Sequence, residues 1–215
     1  MNSKNIAQIK SSIPPDVTLV VVSKHRSNNE IMEAYNAGQR IFGENRVQEL
    51  MQKQSLLPAD IQWHLIGHLQ TNKVKYIASF INLIHSVDSH ELLVEINKRA
   101  KNNNRIIPCL LQVHIAMEER KYGFQYDELK NYLLSDNISS LKHVQINGLM
   151  GMATFTDDND MISEEFRKLL AFYSEMKDLL NSNTFNTLSM GMSGDYKIAI
   201  KQGSNMIRIG TAIFS

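Results

Sequence analysis

Apolar residues recur along the chain in two alternating rhythms: short β-branched runs, and longer stretches with a single apolar face. The first run is Val17-Thr18-Leu19-Val20-Val21-Val22-Ser23-Lys24. It is apolar on both side-chain parities, which reads as a strand buried on both faces, as in a parallel sheet wrapped by helices. Ahead of it, Ile6 and Ile9 give residues 3–12 one apolar face, a short helix halted by Pro14-Pro15. Seven further strands are read at 40–45, 61–67, 83–87, 106–116, 146–153, 188–193 and 206–214. Helical patterns separate them. One runs from a cap at Asn29 through Ala37 and is closed by Gly38; the next reaches about Gln54. Others start at Thr71 or Asn72 and at a cap on Asp88 or Ser89, cover 126–134 and 163–180, and end near Gln202-Gly203.

Eight strands interleaved with helices point to an α/β fold, a (β/α)8 TIM barrel, formed by a single domain over residues 1–215. A doubly wound open sheet is the competing arrangement. No helix is expected after the eighth strand, because the chain stops at Ser215, and the N-terminal helix is expected to fill that gap. No linker, low-complexity tract or repeat marks a second domain.

The 215 residues are 43% hydrophobic, enough for a sizeable core. A formal net charge of +1 argues against a nucleic-acid footprint or an anionic membrane surface as partner. The apolar runs are strand-sized and the N-terminus has no hydrophobic signal core, so a cytoplasmic monomer is expected. The lone Cys109 sits in an apolar run and reads as a buried structural thiol in a reducing compartment.

Polar residues and glycines gather where the strands end, and in a barrel these ends share one mouth. Lys24 closes the first strand. Desolvation there lowers a lysine pKa, the condition for an amine to attack a carbonyl; the plain alternative is a lysine that snorkels out as the strand surfaces. After the seventh and eighth strands, the favoured phosphate position of this fold, Ser193 offers a hydroxyl at the start of a helix, Gly210 permits close backbone approach and Thr211 adds a donor. Singly these read as a cap and a packing glycine. Together with Lys24 they describe a ligand with an aldehyde at one end and a phosphate at the other. His64 and His68 lie on a strand and its loop rather than on a helix, so no metal site is read there. Asp157-Asp158-Asn159-Asp160 reads as loop plus helix cap, and Glu118-Glu119-Arg120-Lys121 as a solvated loop with Lys121 leaning toward the mouth.

The same segments carry a resemblance. Val22-Ser23-Lys24, Phe42-Gly43-Glu44-Asn45 with Val47-Gln48-Glu49, and Trp63-His64-Leu65-Ile66-Gly67-His68 through Lys73 recur in order with Gly148-Leu149-Met150, Leu188 through Asp195, and Arg208 through Phe214. In these the chain resembles the pyridoxal phosphate homeostasis protein family, also called proline synthase co-transcribed proteins. The resemblance implies a barrel like the N-terminal domain of alanine racemase, with pyridoxal 5′-phosphate held as an aldimine on Lys24. It further implies Arg208 at the pyridine nitrogen, phosphate on Ser193, Gly210 and Thr211, and Asn45, His64, Ile66 and Met150 along the ring. The chain departs from the family pattern at His25-Arg26-Ser27, where relatives often carry a proline, in a shorter segment before the first strand, and at Phe214-Ser215, where relatives have a glycine and a basic tail.

A guanidinium only donates hydrogen bonds, so a pyridine nitrogen facing Arg208 must accept and stays unprotonated, which weakens the ring as an electron sink. The competing role for Arg208 is an ion pair with a barrel carboxylate such as Glu44. The implied role is intracellular vitamin B6 homeostasis and cofactor supply, with apo pyridoxal-phosphate enzymes as partners and consequences for amino-acid balance. The alternatives are an amino-acid racemase and a Schiff-base aldolase. Racemisation needs two opposed acid–base groups and an aldolase needs a general acid pair, where the sequence offers Lys24 and Glu44.

Overall fold

A computed structural model describes residues 2–118 and 122–214. Eight parallel strands close into a barrel in sequence order: β1 (Thr18–Val22), β2 (Ile41–Glu44), β3 (Gln62–Leu65), β4 (Leu83–Val87), β5 (Ile107–Val113), β6 (Val144–Gly151), β7 (Thr187–Ser189) and β8 (Met206–Ile209). The TIM barrel expected from the pattern is therefore present, and the open sheet is not. Around it lie α1 (Asn2–Ser12), α2 (Asn28–Asn36), α3 (Val47–Leu56), a 3₁₀ helix at Thr71–Tyr76 and α4 (His90–Asn102). The ring continues with α5 (Tyr126–Leu133), α6 (Asp136–Ser139), α7 (Asn159–Leu180), α8 (Tyr196–Lys201) and α9 (Thr211–Phe214).

The two-sided apolar strands do what their composition demands. One face of each contributes to the layer beneath the helices, where Leu19, Val21, Phe42, Trp63, Leu65, Ile84, Leu111 and Leu149 are buried. The other face fills the barrel, with Val20, Leu83, Leu110, Met150 and Met206 in one interior cluster. Cys109 is buried in the first layer, and burial pushes its thiol up, which suits a structural role.

Two boundaries differ from the pattern in ways that matter for the mouth. The eighth strand stops at Ile209 instead of running on to Phe214, and Thr211–Phe214 turn into α9, with the Phe214 amide donating to the Gly210 carbonyl at 3.2 Å. This short helix follows the last strand where none was expected. It rests on α1, whose Asn5 amide donates to the Ile213 carbonyl at 3.0 Å, so the two ends of the chain fill the gap together. At α2 the cap is Ser27, not Asn29: Ser27 and Glu30 form a reciprocal capping box. Asp158 caps α7 through the amides of Asp160 and Met161, so the helix opens at Asn159, four residues before the apolar periodicity begins. The α6 turn has no apolar stripe and escaped the pattern. Glu119, Arg120 and Lys121 lie outside the described residues. No helix among the described residues is long and apolar enough to cross a membrane.

Candidate functional site

β1 ends at Val22, two residues before the lysine. Ser23 is still buried, but Lys24 is exposed, so the desolvation expected of a strand-end lysine is absent. Lys24 and His25 instead form the corner of a turn in which the Arg26 amide donates to the Ser23 carbonyl at 3.0 Å. His25 takes a φ of +62°, the left-handed conformation that the third residue of a type II turn requires.

This turn forms one wall of a cavity of about 580 Å³ at the carboxyl ends of the strands, a size that suits a small cofactor. Of the residues picked from sequence, Lys24, Asn45, Ile66, Ser193, Arg208, Gly210 and Thr211 line it together. His64 and Met150 do not. Both are buried lower in the barrel, Met150 in the interior cluster at 0% exposure. Side chains alternate along a strand, so the mouth-facing position is two residues further on. Ile66 stands in that relation to His64, and Met152 to Met150; Met152 lines the cavity and was not picked. The parity was legible in the sequence, but the depth at which each strand ends was not. Phe155 and Met192 complete an apolar rim, Phe155 with 97% of its surface exposed.

Ser193 does not open a helix. α8 starts at Tyr196 with Asp195 at its cap, which corrects the expected anion-attracting helix end. Its hydroxyl oxygen instead accepts from the Gly210 amide at 3.3 Å and the Ala212 amide at 3.4 Å, tying the loop after β7 to the loop after β8.

Arg208 is 3% exposed, and its guanidinium donates to the Ser189 hydroxyl at 2.6 Å and the Gly151 carbonyl at 3.0 Å. The competing pairing with Glu44 is not made; Glu44 holds Lys53 at 2.7 Å on the helix side of the sheet. Burial lowers Arg208 to about 10, so it stays charged at neutral pH. The Ser189 oxygen also lies 3.2 Å from His85 Nδ1, and His85 Nε2 lies 3.0 Å from His64 Nδ1. Because a guanidinium only donates, the Ser189 proton is free to go to His85 Nδ1. In that arrangement His85 would carry its proton at Nε2 and donate to His64 Nδ1, giving the whole chain one polarity. Burial holds both imidazoles neutral: His64 is lowered to about 3, and His85 falls well below its usual value through burial and the neighbouring His64 and Arg208. Among the described residues no group of three or more possible metal ligands comes together.

Residues 3–215 match the family model of the alanine racemase N-terminal domain. The pyridoxal phosphate homeostasis protein of Aquifex aeolicus is 37% identical over 214 residues, which is 99% of this chain and 87% of that protein. The chain belongs to the pyridoxal phosphate homeostasis protein family. PipY of Synechococcus elongatus, solved with PLP bound, superposes at a TM-score of 0.92 with 36% identity, 100% of each chain being covered. The alanine racemase of Bartonella henselae shares the fold at a TM-score of 0.75 and 17% identity, matching 99% of this chain and 57% of its own. Relatives at this level carry homeostasis names rather than enzyme names.

In this family member the buried histidine pair makes stability depend on pH. An unfolded histidine titrates near 6.5, so below that pH the unfolded chain takes up protons that folded His64 and His85 refuse. Their contribution is complete above about pH 6.5 and declines as the pH falls toward 3. His64 alone accounts for a loss of roughly 2 kcal/mol between pH 7 and pH 5. Urea unfolding at both pH values is expected to show it, and His64→Gln is expected to reduce the difference by about that amount. An unchanged difference in the variant contradicts the neutral assignment.

Proposed function

We propose that this protein binds pyridoxal 5′-phosphate at the barrel mouth and holds it through Lys24, serving vitamin B6 homeostasis as a carrier. The observation that carries this reading is the lining of the mouth cavity. It places Lys24, Arg26 and Arg208 around Ser193, Gly210 and Thr211, with no carboxylate among the described lining residues. Such a cavity suits an anionic, acceptor-bearing ligand. Arg208 has five N–H donors, of which two are committed to Ser189 and Gly151. A buried cation whose hydrogen bonds go to two neutral oxygens, with the Asp195 carboxylate favouring its charge, keeps donors for an acceptor from outside the chain.

When bound, the cofactor supplies a phosphate and an aldehyde that condenses with a primary amine, the carbonyl oxygen leaving as water with the two amine hydrogens. Lys24 is the amine at the mouth. Ser193, already oriented by the amides of Gly210 and Ala212, has its own hydroxyl hydrogen left to donate, and Thr211 adds another at the same loop. Arg208 would donate to the cofactor's aromatic nitrogen and has no proton to lend at neutral pH. Neither carboxylate nor phenol lines the cavity among the described residues, and His25 sits beside Lys24 in the same turn. Among the described lining residues there is thus no opposed acid–base pair of the kind racemisation needs, which supports carriage over turnover. Apo-enzymes that use the cofactor are the partners this role implies, served by a single barrel domain acting as a monomer.

Borohydride treatment of cofactor-loaded protein, followed by peptide mass analysis, is expected to put the pyridoxyl group on Lys24; a label on Lys73 instead overturns the assignment. Thr211→Ala is expected to weaken pyridoxal 5′-phosphate binding by about tenfold or more, the value of one hydrogen bond to a charged acceptor. The weaker binding of unphosphorylated pyridoxal should stay the same, and equal loss for both ligands places the phosphate elsewhere. With loaded protein and L- or D-amino acids in D₂O, proton NMR is expected to show negligible α-hydrogen exchange. Exchange at about 1 s⁻¹ or faster, abolished by Lys24→Ala, identifies a catalyst instead.

A further inference from the structure

The turn that carries Lys24 is gripped from behind by a cluster of charges that never reaches the cavity. Glu49 and Lys53 stand one helical turn apart on α3. Lys53 Nζ donates to the Ser23 carbonyl at 2.6 Å, to Glu44 Oε1 at 2.7 Å and to Glu49 Oε1 at 2.6 Å, so all three ammonium hydrogens are used. Glu49 Oε1 in turn accepts from the His25 amide at 2.6 Å, and the Ser23 hydroxyl donates to Glu44 Oε1 at 2.6 Å. The carbonyl before Lys24 and the amide after it are thus both held by side chains of one helix.

The cluster is costly to build. Lys53 and Glu44 are 5% and 0% exposed, and burying a pair of charges often gains little stability over an apolar replacement. The turn it holds is also one that resists forming, since His25 carries a side chain at φ +62°. A buried ion cluster devoted to a disfavoured turn makes sense if the turn's direction is what is needed. None of Glu44, Glu49 and Lys53 lines the mouth cavity, so none is placed to touch a ligand.

We infer that Lys53 and Glu49 are positioning residues that aim the Lys24 amine, an inference that rests on Lys24 being the attachment point of the cofactor. Lys24 is an exposed amine on a long flexible stem. Its rate of attachment depends on where its backbone is held.

The test separates attachment from binding. Apo-protein is mixed with pyridoxal 5′-phosphate, and the borohydride-fixed label on Lys24 is followed over time. Affinity is measured separately with pyridoxine 5′-phosphate, whose alcohol cannot attach. Lys53→Met and the milder Glu49→Ala, which leaves the Lys53–Glu44 pair in place, are expected to slow attachment by about 10- to 100-fold. Pyridoxine 5′-phosphate affinity should stay within about twofold of the parent, against the tenfold that one lost strong contact gives. Glu49→Gln keeps an acceptor for the His25 amide and is expected to restore most of the rate. In apo-protein, hydrogen exchange at the His25 amide should speed up in Glu49→Ala. Attachment and affinity falling in proportion, or neither changing in Glu49→Ala, overturns the inference while leaving Lys24 as the attachment point. A parent protein that takes no label on Lys24 overturns both readings.

Discussion

β8 pairs with β1 in parallel, setting Leu19 opposite Ile207 and Val20 opposite Arg208, and the mouth depends on this closure. Alternation puts Val20 and Arg208 on the interior face, and the next interior position along each strand brings Val22 level with residue 210. A Cβ at Gly210 would lie 3.1 Å from both the Cβ and the carbonyl oxygen of Val22. Without a side chain at residue 210, the strand ends approach without the shift of a few tenths of an ångström that a Cβ would demand. Their approach brings the Lys24 turn, which leaves β1, beside the Ser193–Gly210–Thr211 loops, which belong to the far end of the sequence. Docking of α9 on α1 extends the same closure outward, with Arg26 lying 5.1 Å over the Phe214 ring.

Closure also decides the electrostatics inside the barrel. Arg208 points inward from β8, where an unpaired cation is expensive, and the interior supplies it with a hydroxyl and a carbonyl rather than a carboxylate. Behind Ser189, the pair His85 and His64 extends the donor chain away from the mouth, and the nearby guanidinium helps keep His85 neutral. The charge at the mouth is therefore directed outward, toward whatever binds there.

The barrel was legible because strands buried on both faces do not alternate apolar with polar residues, and runs such as Val20-Val21-Val22 and Cys109-Leu110-Leu111 show no such alternation. Most of the cavity lining was legible too, because polar residues and glycines at strand ends stand out against such runs. What escaped depended on distances between elements. Lys53 lies in Val47-Gln48-Glu49-Leu50-Met51-Gln52-Lys53, where a lysine on an amphipathic helix reads as solvated; only its contact with the Ser23 carbonyl reveals a buried role. His85 was visible as a polar residue inside a strand, but its partners come from β3 and β7 and no local spacing encodes them. Thr211 through Phe214 look like strand by composition, yet the short barrel strand ends at Ile209 and the chain turns to meet α1.

The sequence pattern pointed to a lysine activated by burial; the structure gives an exposed lysine whose flanking peptide units are held by side chains of one helix, which changes the logic of the site. A desolvated amine would need an apolar wall around Nζ, and that wall would narrow the way in for a charged cofactor. An exposed Lys24 leaves the mouth open, while the peptide units on either side of it are held from behind. Entry and exit of the ligand can then vary without disturbing the groups that hold the lysine, since the ion cluster lies on the helix side of the sheet. On the proposed function, which asks the protein both to hold a cofactor and to part with it, a held backbone beneath an accessible amine meets both demands.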